Sequence, residues 1–205
     1  MRSLNIEIRN GKVKIDGYVN AVQRDSRPIP SPDGRFLEQV MPGTFKKALD
    51  NADVVEFRLN HKRVLGTTKD EGVRLFEDSI GLRAIYETAD PEIIEKAENN
   101  QLRGWSFGFY VNEDVWDLTG PDGMRRRYLK DIDLTEVSII DSEMTPAYIA
   151  TSIETRDDKE VANEKRGGEL EANLTVYTEE KRADPKIDYT TYIDTINKLK
   201  KRGKQ

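Results

Sequence analysis

Apolar residues at Leu4, Ile6 and Ile8 alternate with polar ones, and Val13 and Ile15 resume the alternation after Asn10-Gly11. A period of two turns one strand face toward a core. Asn-Gly between two such runs predicts a tight hairpin, because both turn positions need positive φ. Val55, Phe57 and Leu59 alternate again, with His61 keeping their parity, and short strands are predicted over 73–76 and 82–86. Trp105-Ser106-Phe107-Gly108-Phe109 puts three aromatics on one face and Ser106 and Gly108 on the other. After a turn over 119–123 comes a strand around 134–140, in which Glu136 shares the parity of Ile132, Leu134 and Ile140.

Helical patterns are few. Residues 42–49 carry Phe45 and Leu49 four apart. Asp90-Pro91 offers a cap and a first-turn proline, with Ile93, Ile94 and Ala97 as the apolar side. Residues 24–35, with three prolines and Asp33-Gly34, are expected to form an exposed loop. Many short strands and two helices predict a mainly β fold, a closed or nearly closed, largely antiparallel barrel, since closure removes exposed edges.

Charge sets the domain division. The 50 residues from 156 to 205 hold 23 charged side chains and little apolar surface to offset ordering entropy. The chain is therefore expected to divide into a domain over 1–154 and a charged, largely flexible tail over 155–205. Tyr189, Tyr192, Ile193, Ile196 and Leu199 follow helical spacing, which predicts a short amphipathic helix over 188–201.

Composition narrows the chemistry. The chain has 205 residues, a net charge of −5, one histidine and no cysteine. No thiol nucleophile, disulfide framework or thiolate metal site can be built. A lone histidine without a His-Glu-x-x-His helix argues against a metalloprotease, and no phosphate-binding loop is present, so no metal or cofactor is expected. The charge balance argues weakly against phosphate-backbone binding, so no specific nucleic-acid partner is expected. No apolar run is long enough for a membrane span or a signal peptide, which predicts a soluble protein retained in the cell that makes it.

Three groups stand out. Ser106 interrupts an aromatic strand, with Gly104 and Gly108 clearing bulk on its own face. A hydroxyl on an anchored backbone beside open space suits acyl transfer, and it equally suits a small residue beneath a neighbour. His61 is the one candidate base, and also reads as a structural histidine needing a partner. Glu136, or Asp141 just past the same strand, would orient it.

The order of short motifs is similar to that of the tailed-phage prohead (capsid-maturation) protease family. Ile15-Asp16-Gly17-Tyr18 resembles its opening strand, and 36–45 its Glu-x-x-x-Pro-Gly-(Ala/Ser/Thr)-Phe segment. Asn60-His61, Gly104-Trp105-Ser106-Phe107-Gly108-Phe109 and 134–140 resemble the histidine, serine and Leu-x-Glu-Val-Ser motifs, with Lys62 where many members have Asp. The resemblance implies a serine endopeptidase with His61, Ser106 and Glu136 in catalytic roles and a fold like the herpesvirus capsid-assembly proteases. It implies cleavage of the major capsid protein and scaffold segment inside the assembling prohead, in the bacterial cytoplasm, with self-cleavage and homo-oligomerisation as further expectations. Two other readings fit the same residues: a noncatalytic scaffold or assembly factor keeping the fold, and an esterase or amidase using the same serine.

Overall fold

The computed structural model describes residues 3–118, 120, 122–144, 151–156, 159–169 and 171–177. In chain order the elements are β1 (Ser3–Arg9), β2 (Lys12–Ala21), β3 (Ile29–Ser31), β4 (Gly34–Val40), α1 (Thr44–Asn51), β5 (Glu56–Leu59) and β6 (Arg63–Thr67). Then follow β7 (Val73–Glu77), β8 (Gly81–Thr88), α2 (Pro91–Glu98), β9 (Leu102–Asp117) and β10 (Arg125–Asp141). The last strands are β11 (Thr151–Arg156), β12 (Lys159–Glu169) and β13 (Glu171–Val176).

Local chemistry forms these elements largely where the sequence pattern predicts. Asn10 and Gly11 take φ of 52° and 69° and turn β1 into β2. The Asp90 carboxylate caps α2 by accepting the Ile93 N–H at 3.2 Å, with Pro91 in the first turn. The expected 24–35 loop instead contains β3 and the start of β4, a small hairpin in which Ile29 lies opposite Phe36.

The strands make two open sheets, so the expected closed or nearly closed barrel is not the fold. One sheet has the order β13-β1-β2-β8-β7, and the other β11-β12-β9-β10-β4-β3, with β5 and β6 branching from β10. The branch explains the opening. Strand β10 pairs in parallel with β4 over Arg125–Leu129 and with β5 over Glu136–Ile139, so its sheet forks into two short hairpins instead of wrapping round. Side-chain alternation reports which face is buried and carries no information about which edges meet. Antiparallel pairing predominates, with parallel exceptions at β1–β13, β10–β4 and β10–β5.

A shared core joins the sheets. Leu4, Ile6, Val13 and Ile15 belong to the same apolar cluster as Phe57, Trp105, Phe107, Val137 and Ile139, with Phe45 of α1 and Ile93 of α2. Phe107 meets Phe45 edge-on at 5.4 Å and stacks on Phe109 at 5.2 Å. Burying each such ring stabilises the fold by about 2–3 kcal/mol, which fixes β9 against its surroundings.

Strands β12 and β13 lie beyond residue 155, within the stretch expected to be tail. β12 pairs with the outer edge of β9, and β13 pairs in parallel with β1. The predicted helix over 188–201 lies outside the described residues. Among the described residues no helix is long and apolar enough to cross a membrane.

Candidate active site

Strands β5, β10 and β9 lie side by side, and β9, β10 and the turn after β5 carry the three candidate groups. Ser106 of β9 stands opposite Ser138 of β10, and Ser138 opposite Arg58 of β5. Glu136 is opposite Gly108, two residues along from Ser106 on the same face.

Two local irregularities put Glu136 and His61 on that face. A bulge lies between Leu134, opposite Phe109, and Glu136, opposite Gly108. The extra residue, Thr135, shifts the alternation, so Val137 and Ile139 continue the core face while Glu136 and Ser138 take the other. Asn60 and His61 both adopt left-handed φ, 53° and 62°. This turn breaks the parity of Phe57 and Leu59 and swings the imidazole away from the core side. Strict alternation places both side chains on the apolar face, and at both the backbone departs from it.

The turn is anchored. The Asn60 N–H donates to the Ile139 carbonyl at 2.8 Å, and its Oδ1 accepts from the Asp141 N–H at 3.0 Å. Asn tolerates the left-handed region better than most residues.

The imidazole and carboxylate meet directly: His61 Nδ1 is 2.6 Å from Glu136 Oε1. Glu136 is only 4% exposed, so its charge requires compensation. Arg58 Nε lies 3.2 Å from its other oxygen and Lys165 Nζ 3.8 Å from Oε1. Arg58 also pairs with Glu56 at 2.5 Å and donates to the His61 carbonyl at 3.3 Å. Gly108 makes room for the arrangement: a Cβ there would meet Glu136 Cγ at 2.9 Å and Oε1 at 3.0 Å.

Asp141 is differently engaged. It pairs with Lys96 at 2.9 Å and accepts from the Glu143 N–H at 2.9 Å. Burial works to raise its carboxyl, but Lys96, Asn60 and the Glu143 amide together outweigh it and hold the group below the usual carboxylate range. Its partners tie the end of β10 to α2, and the carboxylate on the imidazole is Glu136.

Ser106 is 3% exposed, and its hydroxyl donates to the Arg166 carbonyl of β12 at 2.7 Å, leaving no proton for His61 in this arrangement. Ser138 is fully buried beside it, with no hydrogen-bond partner for its hydroxyl among the described residues. A cavity of about 540 Å³ opens next to the Glu136 carboxylate, lined by Glu56, Arg58, Tyr110, Thr135, Glu136 and Lys165.

Sequence reasoning missed Arg58, Glu56 and Lys165. The parity of Glu56 and Arg58, opposite to that of Phe57 and Leu59, marks them as facing away from the core, though nothing local ties them to Glu136. Lys165 is invisible without the β12–β9 register. The second serine, Ser138, sits inside the Leu-x-Glu-Val-Ser stretch.

The model of the caudovirus prohead serine protease family matches residues 2–166. The chain belongs to this family. The prohead protease of Escherichia phage T5 is 26% identical over 143 residues, 68% of this chain and 62% of that protein. The chain thus matches less than two thirds of that relative's length. No solved structure matches this prohead-protease family member.

Proposed function

We propose that the chain is a serine endopeptidase that cuts capsid and scaffold proteins during phage-head assembly, with Ser106 as nucleophile, His61 as general base and Glu136 as the group that orients it. The observation carrying this reading is the 2.6 Å contact between His61 Nδ1 and Glu136 Oε1, made on the strand face that also bears Ser106. A carboxylate on Nδ1 fixes the tautomer and leaves Nε2 to take a proton.

Rotation of the Ser106 hydroxyl off the Arg166 carbonyl frees its proton for His61. Serine Oγ then attacks the peptide carbonyl carbon, and His61 returns the proton to the leaving amine. Water, deprotonated by the same imidazole, hydrolyses the acyl-enzyme. Arg58 and Lys165 balance the Glu136 charge through the cycle. The cavity beside Glu136 offers space for a substrate side chain.

Reaction with a fluorophosphonate, followed by peptide mapping, tests the nucleophile. Modification is expected on Ser106 and not on neighbouring Ser138. A chain that cuts protein while Ser106 stays unmodified overturns the assignment. A chain that neither reacts nor cuts is the noncatalytic assembly factor. One that reacts and cleaves small esters but no protein is the esterase.

A further inference from the structure

Strand β12 lies on β9 as an extended peptide lies on a sheet edge. Its register is antiparallel, with Lys165 opposite Gly108, Arg166 opposite Phe107, Gly167 opposite Ser106 and Gly168 opposite Trp105. Strand addition of this kind is a common way to hold an extended segment, backbone bonds giving affinity and alternate side chains specificity. The position opposite Ser106 is Gly167, which has no side chain of its own to crowd the hydroxyl.

That hydroxyl touches one carbonyl, Arg166 O, at 2.7 Å. The Arg166 side chain is itself held. It is 9% exposed, and its Nε and Nη2 donate to the two oxygens of buried Glu38 at 2.7 and 3.1 Å. Glu164 adds a further contact, and the guanidinium carbon stands 5.3 Å from the Phe109 ring centre. Arg127 borders the same cluster, 3.3 Å from Glu38. A bidentate guanidinium–carboxylate pair fixes both position and orientation.

We propose that the Arg166–Gly167 bond is an internal substrate of Ser106, presented in cis by β12, and that Glu38 is the specificity residue that selects the arginine. This rests on the proposed peptidase function. Ser106 Oγ bonds to the Arg166 carbonyl carbon, the C–N bond to Gly167 breaks, and the serine proton passes through His61 to the Gly167 amine. Water then hydrolyses the ester, leaving an Arg166 carboxylate and a regenerated hydroxyl. The cut divides β12 beside the serine, with residues 159–164 still paired to β11. The same preference for arginine, read by Glu38, then applies to substrates in trans.

Intact mass and N-terminal sequencing of the purified full chain over time test this. The expected products are a fragment ending at Arg166 and one beginning at Gly167, formed at a rate independent of protein concentration. Neither should form from Ser106→Ala. Arg166→Gln should slow the cut at least about 30-fold, as expected for loss of one partner of a buried charge pair, with Arg166→Lys intermediate. Capsid-protein cleavage by the same preparation is the control. A chain that cuts capsid protein but stays whole at 166/167, or breaks elsewhere, overturns the inference and leaves the proposed function standing. A rate that rises with concentration, or a cut that persists in Ser106→Ala, also overturns it. Failure of both cleavages removes both readings.

Discussion

At Gly108 a methyl group would stand 2.9 Å from Glu136 Cγ and 3.0 Å from Oε1, so the absence of a side chain on β9 lets the carboxylate lie across that strand. Gly108→Ala is expected to push Glu136 off His61 and lower turnover about 10-fold or more, with a stability loss near 1–2 kcal/mol from overpacking. Steady-state kinetics alongside a thermal melt separates the two effects. Glu136→Gln keeps the shape and removes the charge. Turnover should fall between roughly 10- and 10⁴-fold, the upper end being the cost of a wrong tautomer in a serine triad. Unchanged turnover in Glu136→Gln would show that the 2.6 Å contact has no part in proton transfer.

Among elements, the Asn60–His61 turn and the end of β10 depend on Asp141. Its pair with Lys96, 2.9 Å apart and nearly inaccessible to solvent, braces α2 against that strand end. Asp141→Asn should destabilise the fold by about 3 kcal/mol at neutral pH, as breaking a buried pair does. The folded-state carboxyl is depressed, so its contribution is fully present above the unfolded value near 3.9 and is lost as pH falls through the lower folded value. Denaturant unfolding of both proteins should therefore show the gap closing below about pH 4. A gap that stays constant down to pH 2 contradicts the pairing. The same two elements show what a sequence hides. Alternation located the strands carrying His61 and Glu136, yet a bulge at Thr135 and a left-handed turn at 60–61 reversed the face of each. Both devices cost a residue its regular geometry, and neither leaves a hydrophobic trace.

The whole molecule was legible to a similar depth. The β1–β2 hairpin, both helices and the aromatic anchor of β9 follow from turn chemistry, capping and period, all of which are local. The fork of β10 between β4 and β5 is a matter of pairing between distant segments, so an open fold was not to be read from faces alone. Mixed charge likewise concealed β12 and β13, which pair through the backbone with β9 and β1. Removing residues 157–205 should accordingly leave two bare sheet edges. The shortened chain is expected to melt earlier and to self-associate, visible by calorimetry and size-exclusion chromatography. A truncated chain with unchanged melting and a monomeric profile would mark this region as a separable tail.

Ser106 is the proposed nucleophile, and co-expression with capsid protein shows whether cleavage depends on its hydroxyl. Intact-mass analysis of that capsid protein should show defined cleavage products with the wild-type chain and none with Ser106→Ala, while circular dichroism shows both chains equally folded. Equal cleavage by folded Ser106→Ala would rule out Ser106 as the nucleophile.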